Sequence, residues 1–343
     1  MATTSTSGTE FSGEIPAQGG GLGADIPPGI GPWRLAGRRL RRNKVALFFG
    51  GVFLLIVAMC LLAPVYSHDV AHAGLADQFV DKPVKVGNKS EYVLSLTGIP
   101  IGPTWHSRFF LGADGNGRDT AVRLLYGGRN SLEVGFIATI ITMLLGVSLG
   151  VIAGFRRGIL DTVIRFGLDV IWAFPAVLLG VALGVSIAVG GLGPIKGNSL
   201  FVPAFVIGFV YIPYVAKPVR GQVLGLRERE FVDAARQQGL SNIRIMLFEI
   251  LPNLSSTIIV FLPLILANAI LLEAGLSFLG AGVQPPNPSW GTMISDGLQS
   301  IPAAFHNVLV PGIMLVIAVM SINVFGDGLR DALDPRAKVR IAH

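Results

Sequence analysis

Ser148 stands in Gly-Val-Ser-Leu-Gly, residues 146–150, the letters of a serine-hydrolase nucleophile elbow. That elbow works on a sharp strand-to-helix turn, which lifts the hydroxyl above a sheet. Here the letters fall inside a long apolar run. Gly146, Gly150 and Gly154 recur every four residues, which predicts a small-residue face for close helix packing. A phosphate-cradling loop needs Gly, four residues, then Gly-Lys-Ser/Thr. The nearest stretch, GGLGPIKGNS at 190–199, has Lys196 ahead of its glycine. The chain is therefore expected to have no catalytic residue and to hydrolyse no ATP itself.

Metal chemistry fares no better. GADGNGRD at 112–119 begins like a calcium loop, but Arg118 and Asp119 stand at its fifth and sixth positions. It reads as a turn in which Asp119 caps the next helix. His68 and His72 are four apart without a third ligand, so no metal site and no bound cofactor is expected. Ion-coupled carriers need ionisable groups deep in their spans. Asp161, Arg165 and Asp169 follow each other at helical spacing and read as a self-neutralising ladder. Glu273 is a lone acid, placed to line a pathway or to hydrogen-bond a neighbouring helix. These groups suggest a conduit whose energy comes from elsewhere. Candidate pathway positions are Glu273, Asn268, Phe174, Pro175 and Asn323.

The elements that must position these residues are membrane spans. Of 343 residues, 51% are apolar and only 14% charged; soluble domains carry about a quarter charged residues. Six apolar runs are long enough to cross a bilayer, at roughly 45–65, 132–154, 164–190, 200–219, 255–276 and 307–326. The net charge of +6 comes from cations that flank spans, so no nucleic-acid groove is expected. Cys60 is the only cysteine, which excludes an internal disulfide and reads as a buried apolar side chain.

Lysine and arginine set the orientation. Arg34, Arg38, Arg39, Arg41, Arg42 and Lys44 precede the first span, Arg156 and Arg157 follow the second, and Arg227, Arg229, Arg236 and Arg244 lie between the fourth and fifth. The 3–4 loop has only Lys196, and the 5–6 loop has no cation. Both termini are therefore expected in the cytoplasm. The expected organisation is a disordered cytoplasmic tail at 1–32, a basic juxtamembrane segment with the first span at 33–65, and an extracytoplasmic loop at 66–131. A transmembrane core at 132–328 holds a cytoplasmic loop at 225–252, and a cytoplasmic tail occupies 329–343. Turn signals and short β-like runs such as EYVLSL suggest that the outer loop is a small cap or docking surface.

The stretch EFVDAARQQGLSNIRIMLFEILPN, residues 230–253, is out of keeping with its apolar neighbours. A helix near 227–238 would bring Phe231, Ala234, Ala235 and Gln238 to one face. Gly239 supplies a left-handed stop, and Ser241 or Asn242 can cap a second helix. Ile243, Met246, Leu247 and Ile250 would pack that second helix, and Pro252 would stop it. Small alanines would let a partner's backbone approach. An interfacial amphipathic loop is the alternative reading of the periodicity.

This stretch resembles the ATPase-docking loop of ATP-binding-cassette (ABC) importer permeases. Asp233, Ala234, Ala235, Gly239, Leu251 and Pro252 fall in register with its acid-Ala-Ala, Gly and Leu-Pro pattern, with Asp233 in place of the usual Glu. Further stretches, PWRLAGRRLRRNKVAL, LGADGNGRD, LLYGGRNSLEVG, LDTVIRFGLDVIWAFP, EAGLSFLGAGVQPPNPSWG and GDGLRDALDPR, resemble the C-type permease subunit of dipeptide, oligopeptide and nickel importers. The tail 1–30 and much of 70–105 lie outside the resemblance. It implies an all-α membrane protein of the type I importer class, with six transmembrane helices, cytoplasmic coupling helices and a long extracytoplasmic loop after the first span. It implies a second, B-type permease, two ATPase subunits or domains that use ATP and magnesium, and an extracytoplasmic substrate-binding protein. A docking helix from Arg229 and Glu230 to Gly239 would carry ATPase movement into the spans. The implied location is the bacterial inner membrane, and peptides are the implied substrate, with nickel or another small solute as the alternative.

Overall fold

A computed structural model describes residues 32–80, 83–87, 89–190 and 195–333. The expected tail at 1–32 lies outside these residues except for Pro32, and so do Arg336, Lys338 and Arg340 of the C-terminal tail. The helices are α1 (Pro32–Arg42), α2 (Lys44–Leu61), α3 (Ala63–Val65), α4 (Thr120–Arg156), α5 (Gly158–Ala173), α6 (Ala176–Gly190), α7 (Phe201–Leu226), α8 (Glu230–Gln237), α9 (Asn242–Ile245), α10 (Leu251–Phe278), α11 (Trp290–Leu298) and α12 (His306–Leu333). Two π-helical turns, Tyr66–Ala71 and Met246–Ile250, extend α3 and join α9 to α10. One antiparallel hairpin, β1 (Pro83–Val86) with β2 (Lys89–Tyr92), lies in the outer loop and pairs Val84 with Glu91.

Five of these helical runs are long and apolar enough to cross a membrane, and α5 with α6 makes a sixth if taken together. The third span, expected as one rod over 164–190, is broken. Its two halves meet at 93°. Pro175 has no N–H to continue the ladder, and its ring forces Phe174 into extended backbone, φ −93° and ψ 139°. Helix α2 ends at Leu61, short of its expected limit at 65, while α4, α7, α10 and α12 each run past an expected end. Helix α4 starts at Thr120, twelve residues before the apolar run, because Asp119 caps it by accepting from Ala121 N (2.9 Å) and Val122 N (3.2 Å). Burial pushes the Asp119 carboxyl above its ordinary value, against the pull of the backbone N–H groups of Phe109, Val122 and Ala121 and the Arg108 cation.

Helices α4 and α7 form the centre of the fold, and glycine sets their separation. A Cβ on Gly146 would stand 2.8 Å from Val215 Cβ. One on Gly150 would stand 2.7 Å from the Ala216 carbonyl oxygen, and one on Gly154 2.7 Å from Val223 Cβ. No side chain fits at these three positions, so the two backbones pack at short range. Thr142 on α4 donates to the Gly208 carbonyl oxygen of α7 at 2.9 Å. Trp290 of α11 is fully buried against α4, its indole N–H donating to the Leu124 carbonyl oxygen at 3.2 Å. Cys60 is buried beside it in the cluster that joins α2, α10 and α12.

Candidate functional site

The stretch between α7 and α10 is an exposed helix on a buried foundation. Helix α8 starts at Glu230, three residues later than expected, and ends before Gly239, whose φ of +77° is readily available only to a residue without a Cβ. Ser241 caps α9, accepting from Arg244 N at 3.4 Å. The buried face of α8 is Val232 with Ala235, flanked by Phe231. These pack with Ile245, Met246, Ile250 and Leu254 onto Phe155 and Val151 of α4 and Val219 and Val223 of α7.

Arg229, Glu230, Asp233, Ala234 and Gly239 are exposed. They form one outward surface, with Asp233 paired to Arg236 at 3.1 Å. Three expectations need correction. Ala235 does not share that surface with Ala234; its small side chain lets α8 settle onto its own chain. Pro252 does not stop the second helix. It sits in the first turn of α10 straight after the π-helical turn, where a missing N–H does no harm, and α9 to α10 runs as one 37-residue rod. Leu251 is half-buried in that rod and Pro252 is exposed. Ile243 and Leu247 are also exposed and do not pack as predicted.

Three cations that the sequence reading used only to set the orientation tie this loop to α4. The Arg227 guanidinium donates to the Phe155 carbonyl oxygen at 2.7 Å. Arg157 pairs with Glu228. The Arg236 guanidinium lies over the Phe155 ring, 5.7 Å from its centroid. Burial first, then the nearby Arg157 and Arg236 cations, lower the Arg227 pKa, and Glu228 opposes this.

The five pathway candidates do not form one site. Glu273 is completely buried. Ser277 Oγ donates to its Oε1 at 2.6 Å, and Val283 N donates to Ser277 Oγ at 2.9 Å. Glu273 therefore ties the outer end of α10 to the returning 5–6 loop, and it presents nothing to a pathway here. Phe174 and Pro175 are exposed at the break between α5 and α6. Asn268 Nδ2 donates to Leu264 O of its own helix at 2.7 Å, and the Asn268 backbone carbonyl oxygen accepts from the Tyr211 hydroxyl at 3.3 Å. Asn323 is half-buried on α12, with no hydrogen bond to the other four among the described residues. The ladder on α5 does not neutralise itself either. Asp161 pairs with Arg220 at 2.6 Å and Asp169 with Lys217 at 2.8 Å, both on α7.

At the outer end, a charge cluster joins the turn before α4 to α11. Arg118 pairs with Asp114 at 2.7 Å, and the buried Arg123 reaches Asp114 and Asp296, both at 3.3 Å. Thr120 Oγ1 donates to Asn307 Oδ1 at 3.1 Å, and Asn307 Nδ2 donates to the Ala113 carbonyl oxygen at 2.9 Å. Among the described residues no three His, Cys, Asp or Glu side chains gather as a metal site.

The chain is similar to known families and proteins. The family described as "Binding-protein-dependent transport system inner membrane component" matches residues 146–339. The "N-terminal TM domain of oligopeptide transport permease C" matches residues 31–82. A dipeptide transport system permease protein of Alkalihalophilus pseudofirmus is 37% identical over 309 residues, 90% of this chain and 91% of its own. An oligopeptide transport system permease protein of Bacillus subtilis is 34% identical over 89% of this chain and 90% of its own. A glutathione transport system permease protein of Pectobacterium atrosepticum is 34% identical over 90% of this chain and 92% of its own. A solved inward-facing structure of the MetNI methionine ABC transporter shares the fold, with a TM-score of 0.50 and 18% identity over 62% of this chain and 96% of that one. The fold is that of a type I ABC importer permease, and the protein crosses the inner membrane several times. The chain belongs to the family of binding-protein-dependent transport system inner membrane components.

Proposed function

We propose that this chain is one of two permease subunits of an ATP-driven importer that carries di- or oligopeptides across the cytoplasmic membrane. Its companion is a second, B-type permease. Two ATPase subunits or domains hydrolyse ATP with magnesium, and an extracytoplasmic binding protein delivers the peptide. The chain itself holds no cofactor and performs no catalysis, and both its termini are cytoplasmic. The observation that carries this reading is α8, an exposed helix whose buried side is locked to α4 and α7. A push on such a helix reaches the spans directly. The outward residues Arg229, Glu230, Asp233, Ala234 and Gly239 are the proposed ATPase contact, backed by Ala235, Leu251 and Pro252. The peptide substrate rests on the names of the relatives.

The test is a pull-down of the tagged chain from native membranes with mass spectrometry, repeated with Ala234→Asp and Gly239→Asp. A companion permease and ATPases should appear, and the ATPases alone should be lost from the variants. Recovery of the wild type without any ATPase would overturn the reading. Import of labelled dipeptide by the reconstituted complex tests the substrate.

A further inference from the structure

An ion pair joins two of the apolar helices. Lys217 Nζ of α7 is 2.8 Å from Asp169 Oδ1 of α5, with 32% of the lysine side chain and 55% of the aspartate exposed. Lys217 sits about 14 Å of helix inside the Leu226 end of α7. Charged side chains within apolar spans characteristically face water or another protein rather than acyl chains. Aromatic rings surround it. Trp172 lies under the Lys217 ammonium, 4.6 Å from centroid to Nζ, and its ring is 4.3 Å from that of Tyr214. Trp172 is 46% and Tyr214 42% exposed. Tyr211 continues the row, edge-on to Tyr214 at 5.1 Å, and reaches Asn268 of α10. Towards the cytoplasm, Gly221 leaves open space where a side chain would stand, and the Asp161–Arg220 pair closes the strip.

The geometry points to this strip as a substrate-binding wall of the pathway for zwitterionic peptides, with Lys217 taking the C-terminal carboxylate and Asp169 the N-terminal ammonium. The inference rests on the peptide-importer reading above and names the residues that reading lacks. A zwitterion can replace each partner of the pair one for one, so no bare charge is left in the membrane as it enters or leaves. With no peptide present, the pair closes on itself and the pathway stays neutral. Trp172 and Tyr214 offer flat apolar contact to peptide side chains with little sequence preference. Weak, exchangeable contacts of this kind suit transport, where a substrate must leave as readily as it enters.

The experiment uses the full transporter, with companion permease, ATPases and binding protein, in proteoliposomes. Cys60 is buried, so Trp172→Cys and Tyr214→Cys each add one reactive thiol to this chain. Labelling by a membrane-impermeant methanethiosulfonate is followed by mass spectrometry. The probes are alanylalanine and its N-acetylated, C-amidated form. Both cysteines should label, and free alanylalanine should slow the labelling several-fold while the blocked peptide does not. Adding Lys217→Gln should abolish that difference. No labelling, in a transporter that imports alanylalanine, would overturn the site and mark the strip as a contact with the companion permease; labelling without protection, or equal protection by both peptides, would also overturn it. A wild-type transporter that imports no dipeptide would bring down the substrate reading, and the site with it.

Discussion

Arg227 and Phe155 are joined by a charge-assisted hydrogen bond of 2.7 Å, from the guanidinium to the backbone carbonyl. Phe155 lies in the last turn of α4, where carbonyls have no partner within the helix. Arg227 caps α7 and satisfies one of them. The same cation also complements the negative end of α4. The loop that carries α8 is thereby fixed to two spans at once.

Arg227→Gln should loosen this joint without removing α8. A hydrogen bond to a charged group is worth about 1.5–3 kcal/mol when intact, less where water reaches it. The variant should still recover ATPases in a pull-down, while peptide import per ATP hydrolysed falls. Unchanged coupling would mean that the Val232–Ala235 packing holds the loop by itself.

Ala234 and Ala235 are neighbours with opposite surroundings, so they should fail differently. Ala235→Leu overpacks the seam beneath α8 and should cost about 1–3 kcal/mol, seen as a lower melting temperature in detergent. Ala234→Leu should melt like the wild type and lose only ATPase recovery.

Gly150→Val would push a side chain into the Ala216 carbonyl oxygen, 2.7 Å from its Cβ. It should part α4 from α7 and sharply lower the amount of folded protein in the membrane. Gly51→Ala is the control: nothing lies within 4 Å of a Cβ there. Western blots of membrane fractions separate the two.

Glu273→Gln keeps a hydrogen-bonding partner for Ser277, and Glu273→Ala removes it. The alanine variant should lose about 1–3 kcal/mol through the unsatisfied hydroxyl and the void. Both variants should leave the KM for peptide import unchanged, as expected of a residue with no exposed surface. A raised KM with normal melting would return Glu273 to the pathway.

The apolar runs located the five long helices and the bent α5–α6 pair because length and composition alone decide what can span a bilayer. The helix break and second helix of the 230–253 stretch were legible because Gly239 and Ser241 act on their own backbone. Which alanine of 234 and 235 turns inward was not, since that depends on where Phe155 and Val223 stand, far away in the chain. The α5 acids misled for the same reason. Helical spacing placed Arg165 beside both, while the closer cations, Lys217 and Arg220, came from another helix. The break at Pro175 had a plain local signal, Phe174-Pro175, which the unbroken hydropathy of the span concealed. Pro252 gave the opposite error: a proline after a π-helical turn is no obstacle, and only the turn reveals it.

The three glycines on α4 have a mechanical consequence. Two helices packed this closely over three successive turns resist sliding and rocking against each other, like one thick beam. In the proposed importer, a stroke delivered at α8 would be transmitted with little lost motion, and compliance would fall to the next joint in the chain. That joint is the right-angled elbow at Phe174 and Pro175, where no backbone ladder resists bending.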